Sequence, residues 1–515
     1  MLVTVWRRVV QSLFLVLFVG LLLKTTWPLP PWPAGLDLPR HLFLSLDPLA
    51  ALCVLLSPYR SWAVLHVFRP ALVILIATAV FGRFFCGWLC PLGTCVEGVD
   101  GFLGGLRRSR KGGRRLSHVP KYVVLALVLT AALSGAHLFW ALDPIPLLTR
   151  TYATVVDGAG RGAYNVLVPA LRAGGLHVRP AAERPFALAG LTAAVFVLIM
   201  LGGLLGTRVW CRTLCPLGAL LGLVGRWGLW RRQAGEACNI CGRCARSCPM
   251  HAIPTTTPTQ TQQAECIQCY ECVAACAGAS SRLVLGHAEV DSRVDAGRRE
   301  FLTASAVGLV YGGLTYWGIV PRVAASRLLR PPGAIVRGAD GTLLGNMTEA
   351  EFRSKCLRCG ECMKACVTGG LQPAVTEAGL DGFYTPLLKP RVGWCEQTCR
   401  ACGEVCPSGA LVPFSAAEKP QIRLGEAHID RERCLAWGVG EAYNECLVCN
   451  EHCSYGAIQL RNEDGGIRPY VNGRQCVGCG QCEHVCPVTP EAAIVVHRRG
   501  GRGRGPGDPR GGRRE

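Results

Sequence analysis

Thirty cysteines punctuate the sequence, and 24 of them fall into six groups of four. Cys238, Cys241, Cys244 and Cys248, followed by Pro249, have the spacing Cys-x2-Cys-x2-Cys-x3-Cys-Pro. Cys266, Cys269, Cys272 and Cys276 repeat it with Ala277 in the proline position, and Cys356, Cys359, Cys362 and Cys366 with Val367. Cys476, Cys479, Cys482 and Cys486, before Pro487, complete the regular set. Two variants lie between: Cys395, Cys399, Cys402 and Cys406 open with a three-residue gap, Cys434, Cys446, Cys449 and Cys453 with one of eleven. Three thiolates on a tight turn reach three irons of one cubane, while the fourth cysteine points to a neighbouring cluster. The spacing therefore predicts six 4Fe-4S clusters with these 24 cysteines as iron ligands. It also predicts crossed ligation. Cys276 is expected to complete the Cys238/Cys241/Cys244 site and Cys248 the Cys266/Cys269/Cys272 site. The four later groups are expected to nest, first with last and second with third: Cys486 with Cys356/Cys359/Cys362, Cys366 with Cys476/Cys479/Cys482, Cys453 with Cys395/Cys399/Cys402, and Cys406 with Cys434/Cys446/Cys449. Disulfide frameworks belong mostly to short secreted chains, and zinc ribbons lack the third cysteine with its x3 successor.

Four further cysteines recur in a different pattern. Phe85-Cys86-Gly87-Trp88-Leu89-Cys90-Pro91-Leu92-Gly93 is echoed by Trp210-Cys211-Arg212-Thr213-Leu214-Cys215-Pro216-Leu217-Gly218. On a helix each pair, at i and i+4, shares a face. Such thiols could hold a further metal centre, cycle between thiol and disulfide near a quinone, or simply stiffen a Cys-Pro turn. Asp47-Pro48 and Asp143-Pro144 precede the two motifs. Apolar flanks suggest proton acceptors near the outer membrane face for quinol oxidation, or helix caps with proline in the first turn. Cys53 and Cys95 have no repeat partner and read as structural, and His66 and His137 as interfacial or packing residues. No histidine set suits haem, and no glycine-rich strand–helix unit or P-loop offers a flavin, nicotinamide or nucleotide site.

These residues need elements to hold them. The first 230 residues are largely apolar, and Val9–Leu23, Val64–Phe85, Tyr122–Phe139 and Phe186–Leu205 are each about long enough to span a bilayer. Leu42–Leu56, broken at Asp47-Pro48, suggests a re-entrant or interfacial segment. Arg7 and Arg8 precede the first span, Arg107, Arg108, Arg110, Lys111, Arg114, Arg115 and Lys121 follow the second, and Arg226, Arg231 and Arg232 follow the fourth. The positive-inside rule places these segments in the cytoplasm. The repeat implies two helical hairpins of one design. A fifth apolar stretch, Phe301–Val320, follows Gly297-Arg298-Arg299-Glu300-Phe301-Leu302, which is close to a twin-arginine export signature although internal. It is expected to act as a signal that stays as an anchor, or as an ordinary span with a basic flank. Residues 497–515 are mostly Gly and Arg and are expected to be a solvated tail. The formal charge of +20 counts every thiol as neutral. Clusters with their thiolates remove roughly 12 charges, leaving near +8 and little case for nucleic acid.

From Met1 to about Arg282 the motif order resembles the polytopic NapH-type subunit of periplasmic nitrate-reductase systems. From about Gly297 to Val496 it resembles the NapG-type subunit, including the x3 and x11 variants. Related membrane motifs also occur in NosR-like regulators, whose flavin-binding domain has no counterpart here, and in cytochrome-oxidase assembly proteins. The resemblance implies a fused quinol dehydrogenase component. Electrons would pass from membrane quinol, expected to be menaquinol, through 4Fe-4S clusters to a periplasmic reductase or cytochrome. The alternative is an assembly or metal-reduction factor for a respiratory enzyme. The expected architecture is multi-domain: an α-helical membrane domain of four spans (1–232), a two-cluster α+β ferredoxin (233–285), a fifth, twin-arginine-like anchor span (297–321), a four-cluster α+β ferredoxin (345–496) and a tail (497–515). A bacterial inner membrane is the expected location, with the first ferredoxin cytoplasmic and the second periplasmic.

Overall fold

The computed structural model describes residues 2–24, 38–59, 66–108, 117–278, 280–286, 298–316, 328–338, 342–438, 444–463 and 465–498. Arg110, Lys111, Arg114, Arg115, Arg322, Arg327 and the tail beyond 498 lie outside them, as does the end of the fifth apolar stretch. A helical unit forms the centre, built from α1 (Leu2–Leu23), α2 (Pro48–Leu56), α3 (Arg69–Phe81), α4 (Phe84–Trp88), α5 (Pro91–Arg108), α6 (Val119–Leu133), α7 (Pro144–Thr151), α8 (Ala189–Leu201), α9 (Val209–Thr213), α10 (Pro216–Gly225) and α11 (Arg298–Tyr316).

Among the described helices, α1 alone is long and apolar enough to cross a membrane by itself; α3, α6, α10 and α8 with its continuation to Leu204 are shorter apolar helices. The expected span Val64–Phe85 is thus a helix of 13 residues, about 20 Å long. Pro70 sets its first turn, and Gly82, at φ 71°, ends it in a conformation that side chains rarely adopt. Leu42–Leu56 breaks at Asp47-Pro48, where Leu42–Ser45 ends and α2 begins.

The helices alternate in direction. α1, α6 and α11 start at one end of the unit, where Arg7 and Lys121 meet the first ferredoxin. α3 and α8 run the other way: Gly82, after α3, approaches Gln263 and Gln268, whereas Thr192, early in α8, bonds Tyr384 of the second ferredoxin at 2.9 Å. The outward faces form an apolar belt in which Val5, Trp6, Leu13, Leu72, Val73, Ile76, Leu198, Val307 and Val310 are exposed.

The fifth apolar helix, α11, lies parallel along α6 through Gly308-x-x-x-Gly312. A Cβ at Gly308 would stand 2.1 Å from Thr130 Oγ1, and one at Gly312 1.6 Å from Ser134 Oγ. Small residues four apart let two helix backbones approach closely. Gly312→Leu is therefore expected to force α11 off α6, costing about 1–3 kcal/mol, read as a lower unfolding midpoint and faster proteolysis within 298–316.

Each ferredoxin is a set of cysteine loops tied together by short antiparallel strand pairs. Trp230–Ala234 pairs with Ser281–Leu285 in the first unit. The second contains the pairs Leu371–Pro373 with Pro386–Leu388, Ile458–Glu463 with Gly466–Val471, and Ile494–His497 with Glu426–Ile429. Its core gathers Phe352, Met363, Tyr384, Leu411 and Ile494 around the cysteines.

Candidate functional site

The loop conformation follows from the cysteine spacing. In every regular motif the residues before and after the second cysteine have positive φ: Ile240 and Gly242, Gln268 and Tyr270, Arg358 and Gly360, Gly478 and Gly480. Two left-handed residues so close together curl the backbone inward, turning three sulfurs toward one centre. The fourth sulfur is oriented separately, by backbone N–H groups beyond it. Ala252 N donates to Cys248 Sγ at 3.3 Å, Ala457 N to Cys453 at 3.2 Å and Leu411 N to Cys406 at 3.4 Å.

Four cavities are lined by four cysteines apiece. Cys238, Cys241, Cys244 and Cys276 surround one, and Cys248, Cys266, Cys269 and Cys272 another, matching the crossed ligation expected for the first ferredoxin. Nesting in the second ferredoxin is overturned. Cys434, Cys446 and Cys449 surround a cavity with Cys486, and Cys476, Cys479 and Cys482 one with Cys453. Cys406 stands against Cys356, Cys359 and Cys362, and Cys366 against Cys395 and Cys402. Successive motifs pair because the short helices Glu361–Ala365 and Ala401–Glu404 pack together, as do Val448–Glu451 and Gln481–Val485. The second ferredoxin is thus two copies of the unit seen once in the first. Cys395 N–H donates to Cys479 O at 2.8 Å and joins the copies. The Cys356 loop adjoins the helical core through Leu357 and Cys359, and from it the cradles neighbour one another in turn, Cys362 near Cys402, Cys395 against Cys479 and Cys482 near Cys449. Sulfur-lined cavities of this kind fit cubane clusters, which would supply one-electron transfer.

The first ferredoxin grips its end of the helical unit through ions. Glu265, 4 % exposed, accepts from Lys121, from Arg83 Nη1 at 2.9 Å and from Tyr122 Oη at 2.8 Å. Burial alone would raise Glu265, yet Lys121 and Arg83 outweigh it and hold the carboxyl at about 2. Arg7 joins Glu97 and Glu271, the latter at 3.1 Å. Gly87 lets the cluster loop in: a Cβ there would stand 2.2 Å from Ile267 O. At the other end Lys364 Nζ donates to Leu22 O at 2.8 Å and pairs with Glu361 at 3.0 Å. Arg150 lies against the Trp140 and Tyr384 rings, and Gly360 of the Cys356 loop approaches Ala153 in the π-helical stretch Tyr152–Val156.

Between the ferredoxins lie the repeated motifs. Cys86, Cys90, Cys211 and Cys215 are gathered in one interior cluster, close enough to act on one another electrostatically. The members of each pair do not share a helix, because Pro91 and Pro216 begin new helices. Cys215 caps α10, accepting from Gly218 N at 3.2 Å, and Cys90 accepts from Gly93 N at 3.4 Å. Cys86 and Cys211 instead pack against Ile267, Cys269 and Met250 of the first ferredoxin. Asp47 and Asp143 are fully buried beside one another, because the two Asp-Pro turns of the repeat meet inside. Asp47 caps α2 through Leu49 N and Ala50 N at 3.0 and 3.2 Å; Asp143 makes no cap. Cys53 is buried near both carboxyls. His137 is buried against Phe139, and His66 contacts Arg69.

Two residues of this centre escaped the sequence reading. Arg83 and Arg208 are fully buried, each three residues before the first cysteine of its motif. They cross over: a Cβ at Gly218 would meet Arg83, and one at Gly93 lies 3.6 Å from Arg208. An arginine at the same offset in both repeats was the available signal.

A family model described as a 4Fe-4S binding domain matches residues 67–110 and 186–234, the two repeats, and one described as a 4Fe-4S dicluster domain matches 444–489. The ferredoxin-type protein NapG of Escherichia coli K12 is 36 % identical over 218 residues, 39 % of this chain and 85 % of that protein. The methylamine utilization ferredoxin-type protein MauM of Paracoccus denitrificans is 33 % identical over 228 residues, 41 % of this chain and 91 % of that one. The ferredoxin-type protein NapF of Escherichia coli K12 is 32 % identical over 151 residues, 29 % and 81 % respectively.

Proposed function

The chain belongs to the family of NapG-type ferredoxin proteins and transfers electrons through 4Fe-4S clusters, and from that premise we propose that it carries six of them and oxidises membrane quinol, menaquinol by preference. The electrons leave through the second ferredoxin to a reductase or cytochrome outside the bacterial inner membrane. One observation carries this reading: the two ferredoxins occupy opposite ends of the helical unit. Arg7 of α1 holds the first and the Leu22 carbonyl the second, and fifteen residues of helix separate those points by about 22 Å. The apolar belt and the alternating helix directions support a membrane around that unit, with Phe301–Val320 as a fifth span. In this arrangement the 233–285 ferredoxin is cytoplasmic and the 345–496 ferredoxin periplasmic.

The chain's own residues position and separate. Loop N–H groups hold the sulfurs and tune the clusters. The four thiols and the Asp47/Asp143 pair form the polar interior between the ends, where a carboxyl pair can take or release a proton. Menadiol added to the anaerobic, cluster-loaded full chain is expected to bleach its visible absorbance. Cluster spectra unchanged by menadiol in the wild type would overturn quinol oxidation and leave an assembly role.

A further inference from the structure

An open cavity of about 350 Å³ lies where α1, α3 and α4 meet the first ferredoxin. Val10, Phe81, Phe84, Trp88, Trp230 and Tyr270 line it, with Leu89 and Gln268. Its size and apolar, aromatic wall are those of a small-molecule site. Two of its residues, Gln268 and Tyr270, flank Cys269 in the cluster loop, so whatever occupies the cavity lies beside the Cys248/Cys266/Cys269/Cys272 cradle. Gln268 is 3 % exposed, and its Nε2 donates to Trp230 O at 3.0 Å while its Oε1 is buried with no partner. That acceptor lies just behind an otherwise apolar wall, where a small turn of the Gln268 amide would offer it to a ligand donor. The Tyr270 hydroxyl accepts from Trp230 Nε1 at 3.1 Å and retains its own proton to donate. The neighbouring outer surfaces of α1 and α3, at Val5, Val9, Leu72 and Ile76, are exposed and apolar, as a route from lipid requires.

We propose that this cavity binds the ring of a membrane quinone or quinol. The proposal rests on the quinol reading above and gives it a location, at the end of the helical unit away from the second ferredoxin. A quinol hydroxyl donates to Gln268 Oε1, a ring oxygen accepts from Tyr270 Oη, and Trp88 and Trp230 enclose the ring. Oxidation of the quinol to quinone releases two electrons and two protons: the Cys248/Cys266/Cys269/Cys272 cradle would hold the cluster that takes the electrons one at a time, and water at the cavity mouth would take the protons. An acyl chain would use the apolar wall but neither polar group.

The full chain in nanodiscs, titrated with the fluorescent quinone-site ligand heptyl-hydroxyquinoline N-oxide, tests this. Wild type is expected to bind saturably at one site. Val10→Phe, which fills the cavity from α1 without touching a cluster ligand, and Gln268→Leu are each expected to weaken binding about tenfold or more. The electron paramagnetic resonance spectrum of the reduced clusters in Val10→Phe is expected to be unchanged, so that lost binding is not lost folding. Equal affinity in wild type and Val10→Phe overturns this location while leaving quinol oxidation standing. Loss in Val10→Phe with full affinity in Gln268→Leu also overturns it, in favour of an acyl chain. A wild type that neither binds the ligand nor is bleached by menadiol overturns the quinol reading itself.

Discussion

Replacing Cys406 by alanine is expected to remove the cluster of Cys356, Cys359 and Cys362, although Cys406 belongs to a motif more than thirty residues further on. The chain should lose about four iron atoms, and the loss should fall on the cluster nearest the helices. Cys406 meets Cys356, Cys359 and Cys362 across the packed helices Glu361–Ala365 and Ala401–Glu404, and Leu411 N fixes its sulfur. Cys486→Ala should instead empty the cradle of Cys434, Cys446 and Cys449 at the far end. The two variants therefore differ in kind. With the inner cluster gone, dithionite should still reduce the outer clusters, while electrons from menadiol should reach them at least 100-fold more slowly. With the outer one gone, reduction by menadiol should reach every remaining cluster. Nested ligation demands the reverse assignment, and Mössbauer or paramagnetic resonance spectra of the two variants decide between them.

Glu265→Ala is expected to give the largest loss of stability. It leaves Lys121 and Arg83, each fully buried, without their shared carboxylate, and removing one member of a buried ion group costs about 3–5 kcal/mol. Because Glu265 lies one residue before Cys266, the effect should appear as release of the first ferredoxin from the helices, measured by proteolysis near 230 and by a lower unfolding midpoint. Glu265→Gln, which still accepts from Tyr122, should lose less. A Lys121→Met/Glu265→Leu pair should cost less than the sum of its single changes, since only Arg83, and no longer Lys121 as well, is left without the carboxylate. Glu265→Ala within about 0.5 kcal/mol of wild type would show that the ion group contributes little.

Much of the chemistry was legible because cubane ligation is local. Cys-x2-Cys-x2-Cys names three ligands from residues that one turn brings together, and the left-handed pairs Gln268/Tyr270 and Arg358/Gly360 are the backbone form of that spacing. The break at Asp47-Pro48 was legible for the same reason, proline being compatible with a first turn and not with a helix interior. The apolar lengths were read less well. Val64–Phe85 has the composition of a span, but Gly82 ends the helix early so that Gln263 and Gln268 can approach. Gly308 and Gly312 carried a close-packing signal that hydropathy alone does not register.

The sequence by itself determined which cysteines fall into cluster-type motifs, that the helical half is built twice on one plan, and which carboxyls accompany each copy. Only the tertiary structure decided who completes whom. The fourth cysteine of each motif reaches a partner across helix packing, and spacing along the chain cannot distinguish successive from nested pairs. Only packing, too, turned Asp47 and Asp143 inward to meet and brought Arg83 and Arg208 across to the opposite repeat. Packing likewise opened a quinone-sized cavity against a cluster loop encoded far from the helices that wall it. Ligand identity is a property of one turn, whereas ligand partnership and cavity shape depend on contacts between turns far apart in the chain.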